Sequence, residues 1–545
     1  MPGRLSIAAL AERVKALGGW HCRAAAVIAG AASVLALAPF FAWPILWCTL
    51  PALVWLTDGA IARGTHSGGG RRWYRRPTAA AAEIGWWFGF GYFLAGLFWI
   101  GEAFLVDADS FAFLMPFAVL LMPAGLALFH GAAVALAAQF WRTGIYRVVA
   151  LALALSAMEW LRGHILSGFP WNVLGYALTY PASLMQSVAV FGIYGLTLVA
   201  VLVFALPPVL WSEAPGRGSR RAALAIAVLP LLIASVAGHI RLALATSAVV
   251  PGVKIRIVQP SVLQRDKWRP ENQERIFFDH IELSRRDATG AIDNLTGVTH
   301  VVWPEAAMPF LPLDTPEALA AIGGMLPDGT VLIAGALRAE KPPPKSPRLR
   351  IFFNSLLVFG RGGLLLTRYD KIRLVPFGEF LPLRRVLEAI GLRPLTQTMG
   401  TFDFGVSPRP LLAIPGFPPT LPLICYEAIF PGALVQGAER PGVMVNVTND
   451  GWFGNTTGPR QHLHQARIRA VEEGVPIIRA ANNGVSAAFD GYGRPLGRID
   501  LDVRGVIDVP LPAALQPPPY ARFGDSIFFT IWLLGGVILG RVVRR

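Results

Sequence analysis

Long apolar runs dominate this sequence and constrain its fold more than any other feature. Each approaches the roughly 20 residues that cross a bilayer as one helix. Seven precede a long polar segment and one follows it, near residues 22–39, 43–61, 81–104, 112–139, 145–162, 188–211, 221–245 and 525–541. The pattern predicts a membrane protein with eight transmembrane helices.

The composition agrees with a chain that largely faces lipid. Hydrophobic residues make up 54% of the sequence and charged residues only 15%, whereas soluble domains usually carry about 25% charge. The net charge of +15 is concentrated in short loops between apolar runs, as in membrane proteins. The sequence shows no stretch of interleaved basic and aromatic residues of the kind that binds nucleic acid, so a nucleic-acid partner is not expected.

The loop charges predict the orientation of the chain. Positive residues stand at the N-terminus and after the second, fourth, sixth and eighth runs, whereas the loop after the third run carries Glu102, Asp107 and Asp109. Positive loops stay in the cytoplasm, so both termini are predicted to be cytoplasmic. The resulting division is a membrane domain at 1–245, a domain outside the cytoplasmic face at 246–524, and a final helix at 525–545.

Two connections predicted to lie on the outer side are rich in glycine and aromatic residues, at 95–102 and 167–176. We favour an aromatic belt at the membrane interface, and the alternative is a lipid-binding mouth. Both interpretations stay open from the sequence.

The polar segment alternates strand-like and helix-like stretches, which favours a layered α/β fold. Positions 340–350 and 392–409 are predicted to be long loops, the second a candidate lid. Predicted strands lie at 253–259, 299–303, 330–337, 352–359, 364–369, 410–414, 421–426, 443–447, 476–481 and 485–490. Predicted helices lie at 271–287, 315–325, 383–391, 428–438 and 459–473.

Three strand-like runs each end in a residue suited to acyl transfer: Glu305, Lys371 and Cys425. Each alone has an ordinary interpretation, as a surface carboxylate, a solvated lysine or a core cysteine. Together they supply a base for a thiol, a cation for an oxyanion and a nucleophile.

Other cofactor and metal signals are weak. The three cysteines, Cys22, Cys48 and Cys425, indicate no disulfide framework. His462 and His464 stand at i and i+2, a spacing that does not place two side chains on one helix face. We therefore expect no metal and no other cofactor.

The motifs around these residues resemble the nitrilase superfamily, whose Glu-Lys-Cys triad sits on an α-β-β-α sandwich. They are Trp303-Pro304-Glu305, Tyr369-Asp370-Lys371 and Cys425-Tyr426-Glu427. With the stretches 371–382 and 448–454 and the eight apolar runs, the whole chain resembles the apolipoprotein N-acyltransferase family of that superfamily.

This resemblance implies a two-step acyl exchange in the bacterial inner membrane, with the catalytic domain on the periplasmic side. Cys425 would take an acyl chain from a phospholipid such as phosphatidylethanolamine, and the α-amine of an apolipoprotein's diacylglyceryl-cysteine would accept it. The resemblance makes Glu305 the base and Lys371 the oxyanion stabiliser. It also assigns supporting or substrate-binding positions, namely Glu379, Glu427, Tyr426, Asn354, Trp268 and Trp452.

Apart from the resemblance, Asn354 is interpreted as a turn residue and the two tryptophans as interfacial packing. The main alternative function is a membrane-anchored amidase of the nitrilase type that hydrolyses a small amide with the same triad. A transporter or scaffold with an inactive enzyme-like domain is the other alternative, and the intact triad argues against it. A monomer is the expected state.

Overall fold

The computed structural model describes residues 7–66, 75–210, 217–246, 248–342, 344, 349–382, 402–432, 434, 435, 437 and 439–544. The chain forms two compact units. Residues Met1–Ala245 and Pro517–Arg545 make the first unit, and Thr246–Gln516 makes the second.

The first unit is helical. Its longer helices are Ile7–Ala16, Gly19–Ser33, Leu46–His66, Arg75–Leu97, Met115–Ala138, Ile145–His164, Val188–Phe204, Arg217–Ala243 and Ser526–Arg544. Short helices of four or five residues are Glu102–Leu105, Ala108–Phe111, Ala182–Met185, Pro207–Leu210 and Pro519–Phe523.

Within the described residues, six helical segments are long and apolar enough to cross a membrane, which makes this a multi-pass membrane protein. They are Gly19–Ala36, Trp43–Gly64, Pro77–Leu105, Ala108–Ala138, Val188–Leu210 and Arg220–Ala243. The fifth predicted span lies in Ile145–His164, which buries the charged residues Arg147, Glu159 and Arg162. The eighth falls in a shorter apolar helix, Ser526–Val542. A total of eight spans therefore stays a prediction.

The connection at 167–176 is packed inside the first unit. Trp171 and Tyr176 are buried, so the interpretation of these two residues as an interfacial belt is wrong. The Glu159 carboxylate accepts the backbone N–H of Leu174 at 3.0 Å and the hydroxyl of Thr197 at 3.1 Å. Because a buried backbone donor needs a partner, this carboxylate holds the connection against the helices.

The second unit contains two β-sheets. The strands are β1 Val249–Gln259, β2 His300–Met308, β3 Val331–Glu340, β4 Ile351–Phe359, β5 Leu365–Asp370, β6 Thr420–Ile424, β7 Val443–Thr448, β8 Ile477–Ala481, β9 Ser486–Phe489, β10 Pro495–Ile499 and β11 Gly505–Pro512. The six-stranded sheet has the order β11-β1-β2-β3-β4-β5 and the five-stranded sheet the order β10-β9-β8-β7-β6. Strands β1–β2–β3 and β6–β7–β8 pair in parallel, and the other neighbours pair antiparallel.

Alternating side chains place one apolar layer between the sheets and one outside each of them. Ile333 and Ile424 belong to the central layer. Their neighbours Leu332 and Leu423 point to the outer layers. The helices Gln273–Ser284 and Pro316–Met325 cover the first sheet and Gly458–Glu473 covers the second. The second unit is thus an α-β-β-α sandwich, as predicted.

Some sequence predictions for this unit are wrong. Residues 410–414 form no strand, only a bridge between Leu412 and Thr420. The described part of 428–438 is not an α-helix, because Pro431 and Gly432 follow a short 3-10 turn that ends at Ile429. Strands β10 and β11 were not predicted. The predicted helix 383–391 and positions 392–401 of the candidate lid lie outside the described residues.

Candidate active site

The nucleophile candidate sits on a sharp turn at the end of β6. Cys425 is buried, and its backbone φ of +49° is one that residues other than glycine rarely adopt. A short 3-10 helix, Cys425–Ile429, begins there. The turn aims the cysteine away from the regular strand, and such backbone strain is typical of functional sites.

Glu305 lies in β2 where the pairing with β3 is irregular, between Trp303 and Met308. The next residue, Ala306, has a φ of +47°. Gly335 on β3 allows this detour, because a Cβ there would lie 2.5 Å from the Cα of Glu305. The Glu305 carboxylate accepts a hydrogen bond from Asn354 Nδ2 at 2.7 Å.

Lys371 follows β5 and is almost completely buried. Its Nζ lies 2.8 Å from Oε1 of Glu379 and 3.4 Å from Oε1 of Glu305. Burial by itself disfavours the ammonium, but the Glu379 and Glu305 carboxylates outweigh it and raise the pKa of Lys371 above its usual range. Lys371 is therefore a fixed cation.

Asn354 connects these groups. Its amide nitrogen also donates to Glu379 Oε1 at 2.8 Å, and its backbone oxygen accepts from the Lys371 N–H at 2.9 Å. Asn354 lies inside β4, so its interpretation as a turn residue is wrong. One amide thereby sets the distance between two carboxylates that would otherwise repel.

The thiol of Cys425 is influenced by these charges. Burial and then the Glu305 carboxylate raise the pKa of Cys425, while Lys371 lowers it. The net shift is upward, so the resting group is a thiol at neutral pH. A thiol of this kind needs a base while it attacks. The structure thus brings Glu305, Lys371 and Cys425 into one electrostatic cluster.

Glu427 holds the cysteine turn against the lysine loop. Its Oε1 accepts from the Tyr369 hydroxyl at 2.6 Å and from the Ile372 N–H at 3.0 Å. Its Oε2 accepts from the Ile424 N–H at 2.8 Å, and Arg409 Nη2 pairs with Oε1 at 3.1 Å. Since Glu427 is fully buried, these bonds replace the water it gave up on folding.

The aromatic candidates are placed differently from one another. Tyr426 is buried, with its ring edge-on to Phe430 at 5.0 Å. Trp268 and Trp452 expose 42% and 40% of their surfaces. The two indoles are therefore open to a ligand and are not part of the hydrogen-bonded cluster.

Several residues of the site were not assigned from the sequence. Lys267, buried beside Trp268, donates from Nζ to the backbone oxygen of Glu305 at 3.0 Å. Burial lowers the pKa of Lys267 to about 8. Arg409 was also missed, since a distant arginine in a loop carries no sequence signal.

Behind Cys425 lies a buried cluster of Asp450, His462 and Arg479. The Cys425 sulfur, an Asp450 oxygen and a His462 nitrogen lie within 4.8 Å of one another, a set of atoms able to ligate a metal. However, His462 Nδ1 contacts Asp450 at 2.8 Å and Arg479 donates to Asp450 at 2.7 Å. Asp450 and His462 are thus already engaged in contacts within the protein.

Comparison with known proteins agrees with this geometry. Residues 29–206 match the family model of the apolipoprotein N-acyltransferase N-terminal domain, and residues 254–517 match that of carbon-nitrogen hydrolase.

Curated relatives extend the similarity over both units. An apolipoprotein N-acyltransferase of Rhodopseudomonas palustris is 47% identical over 93% of this chain and 92% of its own length. A protein of the same name from Bradyrhizobium diazoefficiens is also 47% identical with the same coverage. One from Brucella melitensis is 44% identical over 94% of this chain and 93% of its own. Because the similarity spans the helical unit and the sandwich alike, this chain belongs to the apolipoprotein N-acyltransferase family.

Proposed function

We propose that this protein is an acyltransferase that N-acylates apolipoproteins. It takes an acyl chain from a phospholipid of the phosphatidylethanolamine type and passes it to the α-amine of the acceptor's diacylglyceryl-cysteine. The observation that carries the proposal is the cluster of Glu305, Lys371 and Cys425 in a chain of this family.

In the first step the Cys425 sulfur attacks the ester carbonyl of the phospholipid while Glu305 accepts the thiol proton. The carbonyl oxygen gains negative charge, which the Lys371 ammonium stabilises. The tetrahedral intermediate then expels the glycerol oxygen, which takes the proton from Glu305. The products are a Cys425 thioester and a lysophospholipid.

In the second step the neutral α-amine of the apolipoprotein attacks the thioester carbonyl. Glu305 accepts a proton from the attacking nitrogen, Lys371 again stabilises the oxyanion, and the sulfur leaves as the carbon–sulfur bond breaks. The proton returns to the sulfur, so the enzyme is regenerated. The thioester divides one difficult aminolysis into two easier steps.

The other residues support this chemistry. Asn354 and Glu379 set the positions of Glu305 and Lys371, and Glu427 joins the lysine loop to the cysteine turn. Tyr426 packs beside the nucleophile. Trp268 and Trp452 contact the lipid substrates, for which their exposed rings are suited.

The proposal extends to location and partners. The protein resides in the bacterial inner membrane with its catalytic unit on the periplasmic side, where the lipid bilayer supplies the acyl donor and carries the acceptor. It acts as a monomer without a cofactor.

The decisive experiment is intact-mass measurement of the purified protein after incubation with phosphatidylethanolamine vesicles. We expect an added acyl mass that hydroxylamine removes and that is lost in Cys425→Ala. Cys48→Ala, which alters an exposed cysteine of the first unit, serves as the matched control and retains the adduct. An unmodified mass on folded protein would overturn the proposal and favour the amidase.

A further inference from the structure

We propose that His462, supported by Asp450 and Arg479, is a positioning residue for the nucleophile, which it fixes through the backbone carbonyl of Cys425. This inference rests on the proposed role of Cys425. It assigns a task to a buried group that the reaction steps above do not use.

The three residues come from separate elements that converge behind the cysteine turn. Asp450 follows β7, His462 lies on the helix Gly458–Glu473, and Arg479 lies in β8. None of the three exposes more than 1% of its surface. Burying three polar groups costs free energy unless they are paired, so a cluster retained there is expected to act on its surroundings.

The geometry directs the cluster at Cys425. His462 Nε2 lies 3.1 Å from the carbonyl oxygen of Cys425, and Nδ1 lies 2.8 Å from Asp450 Oδ1. A carbonyl oxygen can only accept, so Nε2 is the donor. Burial and then Arg479 lower the pKa of His462, so the ring is neutral at neutral pH and has one N–H. With that N–H on Nε2, Nδ1 accepts from Arg479 Nη2 at 3.2 Å. Arg479 also donates to Asp450 at 2.7 Å and thereby links the ring to this carboxylate.

The strained backbone of Cys425 explains why the hydrogen bond from His462 is needed. A positive φ at a residue other than glycine, as at Cys425, is strained and persists only where the surroundings enforce it. Glu427 fixes the turn on one side through the Ile424 N–H. His462 fixes it on the other side through the Cys425 oxygen, so both flanks of the nucleophile are held.

The cluster also sets the charge near the sulfur. Glu305, Lys371 and Asp450 all act on the thiol, and Asp450 disfavours its ionisation. Among the described residues, Lys267 and His462 also lie close to the thiol. Arg479 and then His462 outweigh burial and lower the pKa of Asp450 to about 2, so this carboxylate stays ionised, and the Arg479 guanidinium offsets its charge.

Two substitutions of His462 distinguish the contribution of Nε2 from that of Nδ1. In His462→Gln the terminal amide occupies the place of Nε2 and keeps a donor for the Cys425 oxygen. In His462→Asn the shorter amide occupies the place of Nδ1 and keeps only the Asp450 contact. His464→Gln, at a second buried histidine of the same helix, is the control.

The measurement is the rate at which iodoacetamide alkylates Cys425 in the full-length protein, located by peptide mass, together with the rate of acyl-adduct formation. We expect His462→Asn to lower both rates at least 30-fold, and His462→Gln and His464→Gln to stay within about fivefold of the unmodified protein. Equal rates for the Asn and Gln variants, at similar unfolding temperatures, would overturn the inference.

Asp450→Asn gives a second readout, which holds even where His462→Asn does not fold. Removing the carboxylate charge near the sulfur is expected to move the pH profile of alkylation to lower pH, and an unmoved profile counts against the inference. Because alkylation needs no lipid, absence of the acyl adduct in the unmodified protein would contradict the proposed function separately.

Discussion

The ammonium of Lys371 is bonded to Glu379 at 2.8 Å. Glu305, the proposed base, lies farther from the same nitrogen, at 3.4 Å. A buried cation with two carboxylates divides its attraction between them. Glu379 therefore keeps Lys371 from pairing fully with Glu305 and leaves the base free to accept a proton.

This relationship predicts the effect of Glu379→Gln. Glutamine keeps an oxygen for the Val375 N–H, which Glu379 accepts at 2.8 Å, but it loses the charge. Lys371 then pairs more tightly with Glu305 and makes it a weaker base. We expect acyl-adduct formation to slow about 10- to 100-fold, measured in a single turnover. Glu317→Gln, at an exposed helix position, is the control, and equal rates for the two variants would contradict the prediction.

Glu427 and Arg409 form a buried pair at 3.1 Å, which predicts strong coupling. Either Glu427→Gln or Arg409→Met leaves a buried charge without its partner, at a cost of about 3–5 kcal/mol. The double variant removes both charges, so we expect it to be less destabilised than the sum of the single variants. Thermal unfolding of the purified full-length protein and of the three variants measures the coupling free energy of this double-mutant cycle. Additive losses would show that the pair is not coupled.

Gly335 predicts a steric effect on the base. A Cβ at this position would lie 2.5 Å from Glu305 Cα and 2.6 Å from the Pro304 oxygen, both of which are backbone atoms. We expect Gly335→Ala to displace Glu305, to destabilise the unit by about 1–3 kcal/mol and to reduce the rate of adduct formation. Gly324→Ala, with open space around it, is the matched control and should unfold at the same or a higher temperature. Equal unfolding temperatures and equal rates of adduct formation for the two variants would show that the close approach at Gly335 does not position Glu305.

The burial of His280 predicts how the free energy of unfolding changes in mild acid. Burial lowers the pKa of His280 to about 4, whereas an unfolded chain has a value near 6.5. Between these values the unfolded state binds the extra proton, so the free energy of unfolding falls as the pH falls. The loss reaches about 2 kcal/mol at pH 5. In His280→Leu the free energy of unfolding should change less between pH 7 and pH 5 than in the unmodified protein. Thermal unfolding at each pH measures this difference. Parallel pH profiles for the two proteins would contradict this assignment.

Strands of the sandwich were predictable where both of their faces are apolar. Strands β2, β6 and β7 are buried along their whole length, and each contains a run of hydrophobic residues. Strand β11 escaped prediction because it contains Asp508 and two prolines. Two residues of β1, distant in sequence, hold Asp508 in the sheet: Arg256 binds it at 2.7 Å and Lys254 at 3.1 Å.

The candidate site was predictable in part. Glu305, Lys371 and Cys425 stand at the ends of apolar runs, and the motifs around them resemble a known superfamily. Lys267, Arg409 and Arg479 act through contacts with residues far away in sequence. His462 was considered only as a metal ligand, and spacing along its helix says nothing of the Cys425 carbonyl.

The sequence by itself determined the membrane-embedded half, the layered α/β half and the three residue types that carry the chemistry. These follow from the local hydrophobic pattern and from the residue types that follow each apolar run. Only the tertiary structure decided that Asn354 bridges Glu305 and Glu379, that Glu379 pairs with Lys371, and that His462 donates to the carbonyl of Cys425. Such contacts join segments far apart in the chain, and the distances between them are set by how two sheets and their helices pack.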